Sequence, residues 1–121
     1  MIFRCLLTIA ALVACTGASL AAPKRSAADE AILKAYDAFR AGDPVKLQKY
    51  SAQLGGHVLA PYLEYWRLKL RLEDAPDADV RAFLEREAGS YLAQRLRADW
   101  LKQLGKRGDW QGFDQALPPL A

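Results

Sequence analysis

The amino-acid sequence predicts an all-α fold, a right-handed superhelix (α-solenoid) of about six helices stacked as hairpins. Three observations lead there. Apolar residues recur at helical spacing, and no run alternates strictly enough for a half-buried strand. Helix stop signals sit directly before helix start signals, so the helices come in pairs. Asp43, Asp77 and Asp109 each open the second helix of a pair, and they lie 34 and 32 residues apart. A helix-turn-helix unit repeating near 33 residues marks stacked repeats. An ordinary irregular bundle is the alternative that the same helices allow.

Residues 1–21 read as an export signal, followed by a short linker over 22–28 and a partial helical-repeat domain over 29–121. Arg4 supplies the positive start. Leu6 to Ala14 is nearly all aliphatic, but shorter than the roughly 20 residues that cross a bilayer. Ser19-Leu20-Ala21 fits a small-x-small cleavage site, which would release the product into the periplasm. Leu12-Val13-Ala14-Cys15 also fits a lipoprotein processing box. On that reading Cys15 carries a lipid and the protein is membrane-anchored. Both cysteines, Cys5 and Cys15, fall in this segment. Cleavage after Ala21 therefore leaves no disulfide, no thiolate metal site and no cysteine nucleophile, and helix packing alone must hold the fold.

The first helix opens at Ser26, whose hydroxyl stands three residues before Asp29, a relative of the capping box. Ile32, Tyr36 and Phe39 form its apolar stripe, backed by Ala28, Ala31, Ala35 and Ala38. Gly42 stops it. Asp43 caps a second helix with Pro44 at its first position, and Val45, Leu47, Tyr50 and Leu54 carry this to Gly55-Gly56. The third helix starts near Pro61 with two stripes: Leu59, Leu63, Trp66 and Leu70, then Tyr62, Tyr65, Leu68 and Leu72. Two stripes require cover from two sides. Glu64, Arg67 and Arg71 share its polar strip, where Glu64 and Arg67 are spaced to pair.

Asp77 is expected to cap a fourth helix carrying Val80, Phe83 and Leu84. Gly89 ends it and Ser90 caps a long fifth, with Leu92, Leu96, Trp100 and Leu104 four residues apart. Gly108-Asp109 is another stop-and-cap pair, opening a sixth helix with Trp110, Phe113 and Leu117 before Pro118-Pro119. That last helix leaves Trp110 and Phe113 with little to pack against, which reads as a stack that continues or has been truncated.

Composition excludes several function classes. Apolar residues are 52% and charged residues 26%, a globular balance. The net charge is +3, or +2 without Arg4, too mild for a nucleic-acid footprint. With one histidine, His57, and no mature cysteine, neither a zinc site nor any other cofactor is expected. His57 reads as a loop residue and Glu64 as a surface acid, so no catalytic residue is assigned. The glycines are mostly helix stops and form no phosphate loop. Trp66 and Trp100 sit at core spacing. Trp110 is the one candidate for stacking on a sugar ring.

Pro61-Tyr62-Leu63-Glu64-Tyr65 resembles the aromatic helix in the N-terminal superhelical domain of the soluble lytic murein transglycosylases. Val80-Arg81-Ala82-Phe83-Leu84 is similar to that family's short helix ending in Phe-Leu. Leu96-Arg97-Ala98-Asp99-Trp100-Leu101, followed by Gly108-Asp109-Trp110, is similar to its next hairpin. The resemblance runs from about Asp29 to Leu117. It implies a periplasmic protein acting at peptidoglycan, in a family that cleaves between N-acetylmuramic acid and N-acetylglucosamine and leaves 1,6-anhydro ends. The family's catalytic Glu precedes a Ser, and a Gly-Leu-Met-Gln stretch follows. This chain has no Glu-Ser pair, and its only Met is Met1. The resemblance therefore implies a scaffold part without its catalytic domain, whose partners are glycan strands and that missing domain. A free-standing protein-binding solenoid of the tetratricopeptide type is the alternative.

Overall fold

The computed structural model describes residues 24–118; the expected export signal, with Cys5 and Cys15, lies outside the described residues. Among the described residues there are six helices and no strand: α1 (Ala27–Arg40), α2 (Pro44–Ser51), α3 (Ala60–Leu70), α4 (Asp77–Arg86), α5 (Tyr91–Lys106) and α6 (Trp110–Ala116). The all-α expectation and the helix count hold. None of these helices is long and apolar enough to cross a membrane.

Local chemistry sets the boundaries. The Ser26 hydroxyl accepts the Asp29 N–H at 3.1 Å, and the Asp29 carboxylate accepts the Ser26 N–H at 3.2 Å, a full capping box. These hydrogen bonds from Ser26 hold the Asp29 carboxyl below its ordinary pKa.

The joints α1–α2 and α5–α6 are built alike. Gly42 (φ 69°) and Gly108 (φ 70°) take the left-handed conformation that closes a helix and that a Cβ would strain. The Asp43 N–H donates to the Ala38 carbonyl at 2.9 Å, and the Asp109 N–H to the Leu104 carbonyl at 3.0 Å. Each aspartate thus closes the preceding helix in a Schellman motif while its carboxylate opens the next. Asp43 accepts the Lys46 N–H at 2.9 Å, and Asp109 accepts the Gly112 N–H at 2.9 Å. A Cβ at Gly112 would meet the Asp109 carboxylate at 2.6 Å, so a larger residue there would require that side chain to shift.

The middle joint differs, which corrects the expectation for Asp77. The N-cap of α4 is Pro76, with no side-chain cap, and Asp77 is the first helical residue. Its carboxylate reaches α5 instead. There it accepts the Arg107 guanidinium at 3.0 Å and the Trp100 indole N–H at 3.4 Å. Asp77 can serve α5 because Pro76 needs no side chain to enter the helix at a suitable φ.

α3 packs against α1, α2, α4 and α5, as its two stripes require. The helices α1, α3 and α5 form a row of neighbours, α2 and α4 lean on its members, and α2 makes no backbone contact with α4. The core runs through Leu47, Leu63, Trp66, Phe83, Leu96, Trp100 and Leu104. In α1 the stripe differs from expectation. Ala31, Ala35 and Ala38 are the buried face, whereas Tyr36 is exposed and Ile32 and Phe39 are only half-buried. Small residues let the α2 backbone approach closely, and the larger side chains splay to the rim. Val45 and Leu59 are likewise exposed rather than core.

Ala35 has no solvent-exposed surface, so Ala35→Leu must force these backbones apart. The expected cost is about 1–3 kcal/mol, read as a lower urea midpoint of the helical circular dichroism signal. Leu33→Ala, at an exposed site on the same helix, should change it by less than about 0.5 kcal/mol.

Candidate functional site

Trp110, the sequence-derived candidate, opens α6 and remains 63% exposed. Its ring meets Phe113 edge-on with centroids 5.7 Å apart. It also rests against Gly105 of α5, where a Cβ would lie 3.9 Å from the indole. The absent side chain at Gly105 lets the indole lie against the helix while leaving it open to solvent. A flat aromatic surface supported in this way can stack on an apolar ring face.

A second aromatic surface was not singled out from sequence. Tyr36 of α1 and Tyr62 of α3 stand over Trp66 at centroid distances of 5.4 and 6.1 Å, and Phe39 stacks on the same indole at 5.7 Å. Trp66 is buried, but Tyr36 and Tyr62 are 42% and 43% exposed. Arg40 lies over the Tyr36 ring at 5.9 Å. The signal was present in the aromatic members of the apolar stripes of α1 and α3, Tyr36, Phe39, Tyr62 and Trp66. Reading every stripe residue as core hid it.

The opposite strip of α3 faces a groove of about 530 Å³ between α2 and α4. Leu47, Leu68 and Ala75 supply its apolar lining, and Arg67, Arg71 and Arg86 its cations. Glu64 does not pair with Arg67 as its spacing suggested; its carboxylate accepts the Arg86 guanidinium of α4. The cross-helix partner is Arg86 because α4 packs against α3. Glu64 thus lies on the side of α3 away from Trp66, half-exposed and ion-paired, which is unlike a desolvated glycosidase acid.

His57 lies in the α2–α3 loop, where its Nδ1 accepts the Leu59 N–H at 3.1 Å, a turn contact. Trp66 and Trp100 are core, as their spacing implied. Among the described residues, no group of three or more His, Cys, Asp or Glu side chains could hold a metal ion.

One ion pair stands out between α3 and α5. Lys69 Nζ donates to Asp99 at 2.9 Å, with the side chains 33% and 25% exposed, and Lys102 approaches the same carboxylate at 3.6 Å. Partial burial pushes the Asp99 carboxyl up, but the hydrogen bond and charge of Lys69, with Lys102, outweigh it and hold it low. The same hydrogen bond holds Lys69 above its ordinary value, against its own burial. No family model, no curated protein and no solved structure matches the chain.

The Asp99 share of this stability is complete above about pH 4, the ordinary carboxylate value, and fades as pH falls through the lower folded value. The Lys69 share is complete below about pH 10 and fades as pH rises through the higher folded value. Asp99→Asn should cost about 1 kcal/mol at pH 7, and markedly less near pH 3, in urea unfolding at the two pH values.

Proposed function

We propose that this chain is the N-terminal scaffold part of a periplasmic peptidoglycan lytic transglycosylase, non-catalytic on its own. Its helices would form the first turns of a right-handed superhelix. The observation that carries this reading is the row α1–α3–α5 with α2 and α4 held apart, the neighbour pattern of stacked hairpins. The like-built joints at Asp43 and Asp109, two repeat lengths apart, support it further. So do the sequence motifs shared with that family's superhelical domain. On this reading the scaffold supports the family's catalytic domain and orients glycan strands, with Trp110 and the Tyr36–Tyr62 surface as sugar-stacking platforms. Location would be periplasmic after cleavage at Ala21, or membrane-anchored if Cys15 is lipidated; both residues lie outside those described.

The groove between α2 and α4 favours a second reading, a free-standing periplasmic solenoid of tetratricopeptide type that binds proteins. Amphipathic grooves between repeats are the usual docking surfaces of such stacks.

Purified sacculi incubated with the protein decide between them. The scaffold reading expects retention on sacculi and no 1,6-anhydro muropeptides by mass spectrometry. Trp110→Ala should weaken retention about three- to ten-fold with helical content unchanged, since a stacked ring contributes roughly 0.5–1.5 kcal/mol. Anhydro products would sink the non-catalytic claim. Absence of retention would leave the protein-binding solenoid as the better reading.

A further inference from the structure

We infer that the groove between α2 and α4 binds an acidic peptide segment in extended form, with Arg67 and Arg71 holding carboxylates two residues apart. The inference goes beyond the scaffold reading and requires only the groove.

Both residues are exposed, Arg67 in the last turn of α3 and Arg71 at its C-cap, and neither forms an ion pair with another described residue. The nearby Glu64 is engaged by Arg86. Asp79 of α4 is the other carboxylate in the lining, and it too enters no ion pair with a described residue. The groove therefore has two open cations against one open anion, over an apolar base formed by Leu47 and Leu68. Its volume of about 530 Å³ suits a few residues of chain and lies within the range of built ligand sites.

Spacing selects the ligand. The last turn of α3 carries the backbone about 6 Å along the axis from Arg67 to the C-cap Arg71. Alternate side chains of an extended peptide lie about 6.6 Å apart and point the same way. A peptide of the pattern acid-x-acid can thus present one carboxylate to each guanidinium, each in a two-pronged pair. Adjacent acids point to opposite sides and cannot. Gln48, on the α2 wall, offers an amide that both donates and accepts, which suits a peptide backbone.

The test is fluorescence anisotropy at low salt with a labelled, acetylated hexapeptide of alternating glutamate and serine. Two controls accompany it: the same peptide with glutamine for glutamate, and a block isomer, Glu-Glu-Ser-Ser-Glu-Ser, in which no two glutamates stand two residues apart. The alternating peptide should bind about ten-fold more tightly than the neutral one, and more tightly than the block isomer, with added salt weakening it. Arg67→Gln with Arg71→Gln should lose about ten-fold. Asp79→Asn, removing the competing carboxylate, should tighten binding, which keeps the idea testable if the double variant misfolds. Arg81→Gln, on α4 over the Trp100 ring and outside the groove, should leave binding unchanged. Absence of saturable binding would overturn the inference. So would equal binding of the neutral or block peptide, or an unaffected double variant that is folded. None of these results depends on whether the protein is retained on sacculi.

Discussion

Everything in this molecule depends on the two-sided packing of α3. With eleven residues it must satisfy α1 and α2 on one flank and α4 and α5 on the other. Trp66 does most of this on the α1 side, meeting Tyr36 and Phe39 while staying buried. Burying a large side chain of this kind contributes roughly 1.5–3 kcal/mol. Lys69 continues the attachment on the other flank by its ion pair with Asp99 of α5. A helix so heavily covered has only one strip left for polar residues. That strip, Glu64 with Arg67 and Arg71, lies where its neighbours α2 and α4 do not meet. The groove is thus a consequence of how α3 is held.

The joints explain why α2 and α4 stay apart. Asp43 gives its N–H to α1 and its carboxylate to α2, which ties α2 to α1 within two residues. Asp77 has no such double role; it ties α4 to α5 through Arg107 and Trp100. The second helix of the first pair therefore follows α1, and the second helix of the middle pair follows the helix after it. A gap above α3 results. Had Asp77 capped α4 as Asp43 caps α2, its carboxylate would have been spent on a backbone N–H and α5 would have lost that anchor.

Most of the fold was legible from sequence, because its signals are local. Ser26, Asp43, Ser90 and Asp109 cap helices through bonds to residues three positions on, and such spacing is visible in one dimension. The fully apolar ladder Leu92–Leu96–Trp100–Leu104 is buried as its period requires. What escaped was set by distance between elements. Asp77 looked like a cap because its tie to Arg107 spans thirty residues. Glu64 looked like a partner for Arg67 because Arg86 is remote in sequence. Tyr36 looked like core because periodicity reports which side a residue takes, while how deeply it sinks depends on the alanines beside it. Of the candidate surfaces, Trp110 was legible as an end residue next to a helix start. The tyrosine pair and the groove needed the packing of three helices to be known.

One helix therefore carries two unlike surfaces on opposite sides. Tyr62 and Trp66 face the aromatic cluster, whereas Glu64, Arg67 and Arg71 line the groove. Occupying either surface leaves the other open, and α3 is too well covered to rotate between them. A ligand that stacks on aromatic rings and a ligand that carries carboxylates would not compete. Their chemistries also respond oppositely to salt: ion pairing with exposed guanidiniums weakens as salt screens it, while ring stacking on Tyr36 and Tyr62 does not depend on charge. For a ligand that sits on α3, salt dependence thereby distinguishes the groove from the aromatic cluster.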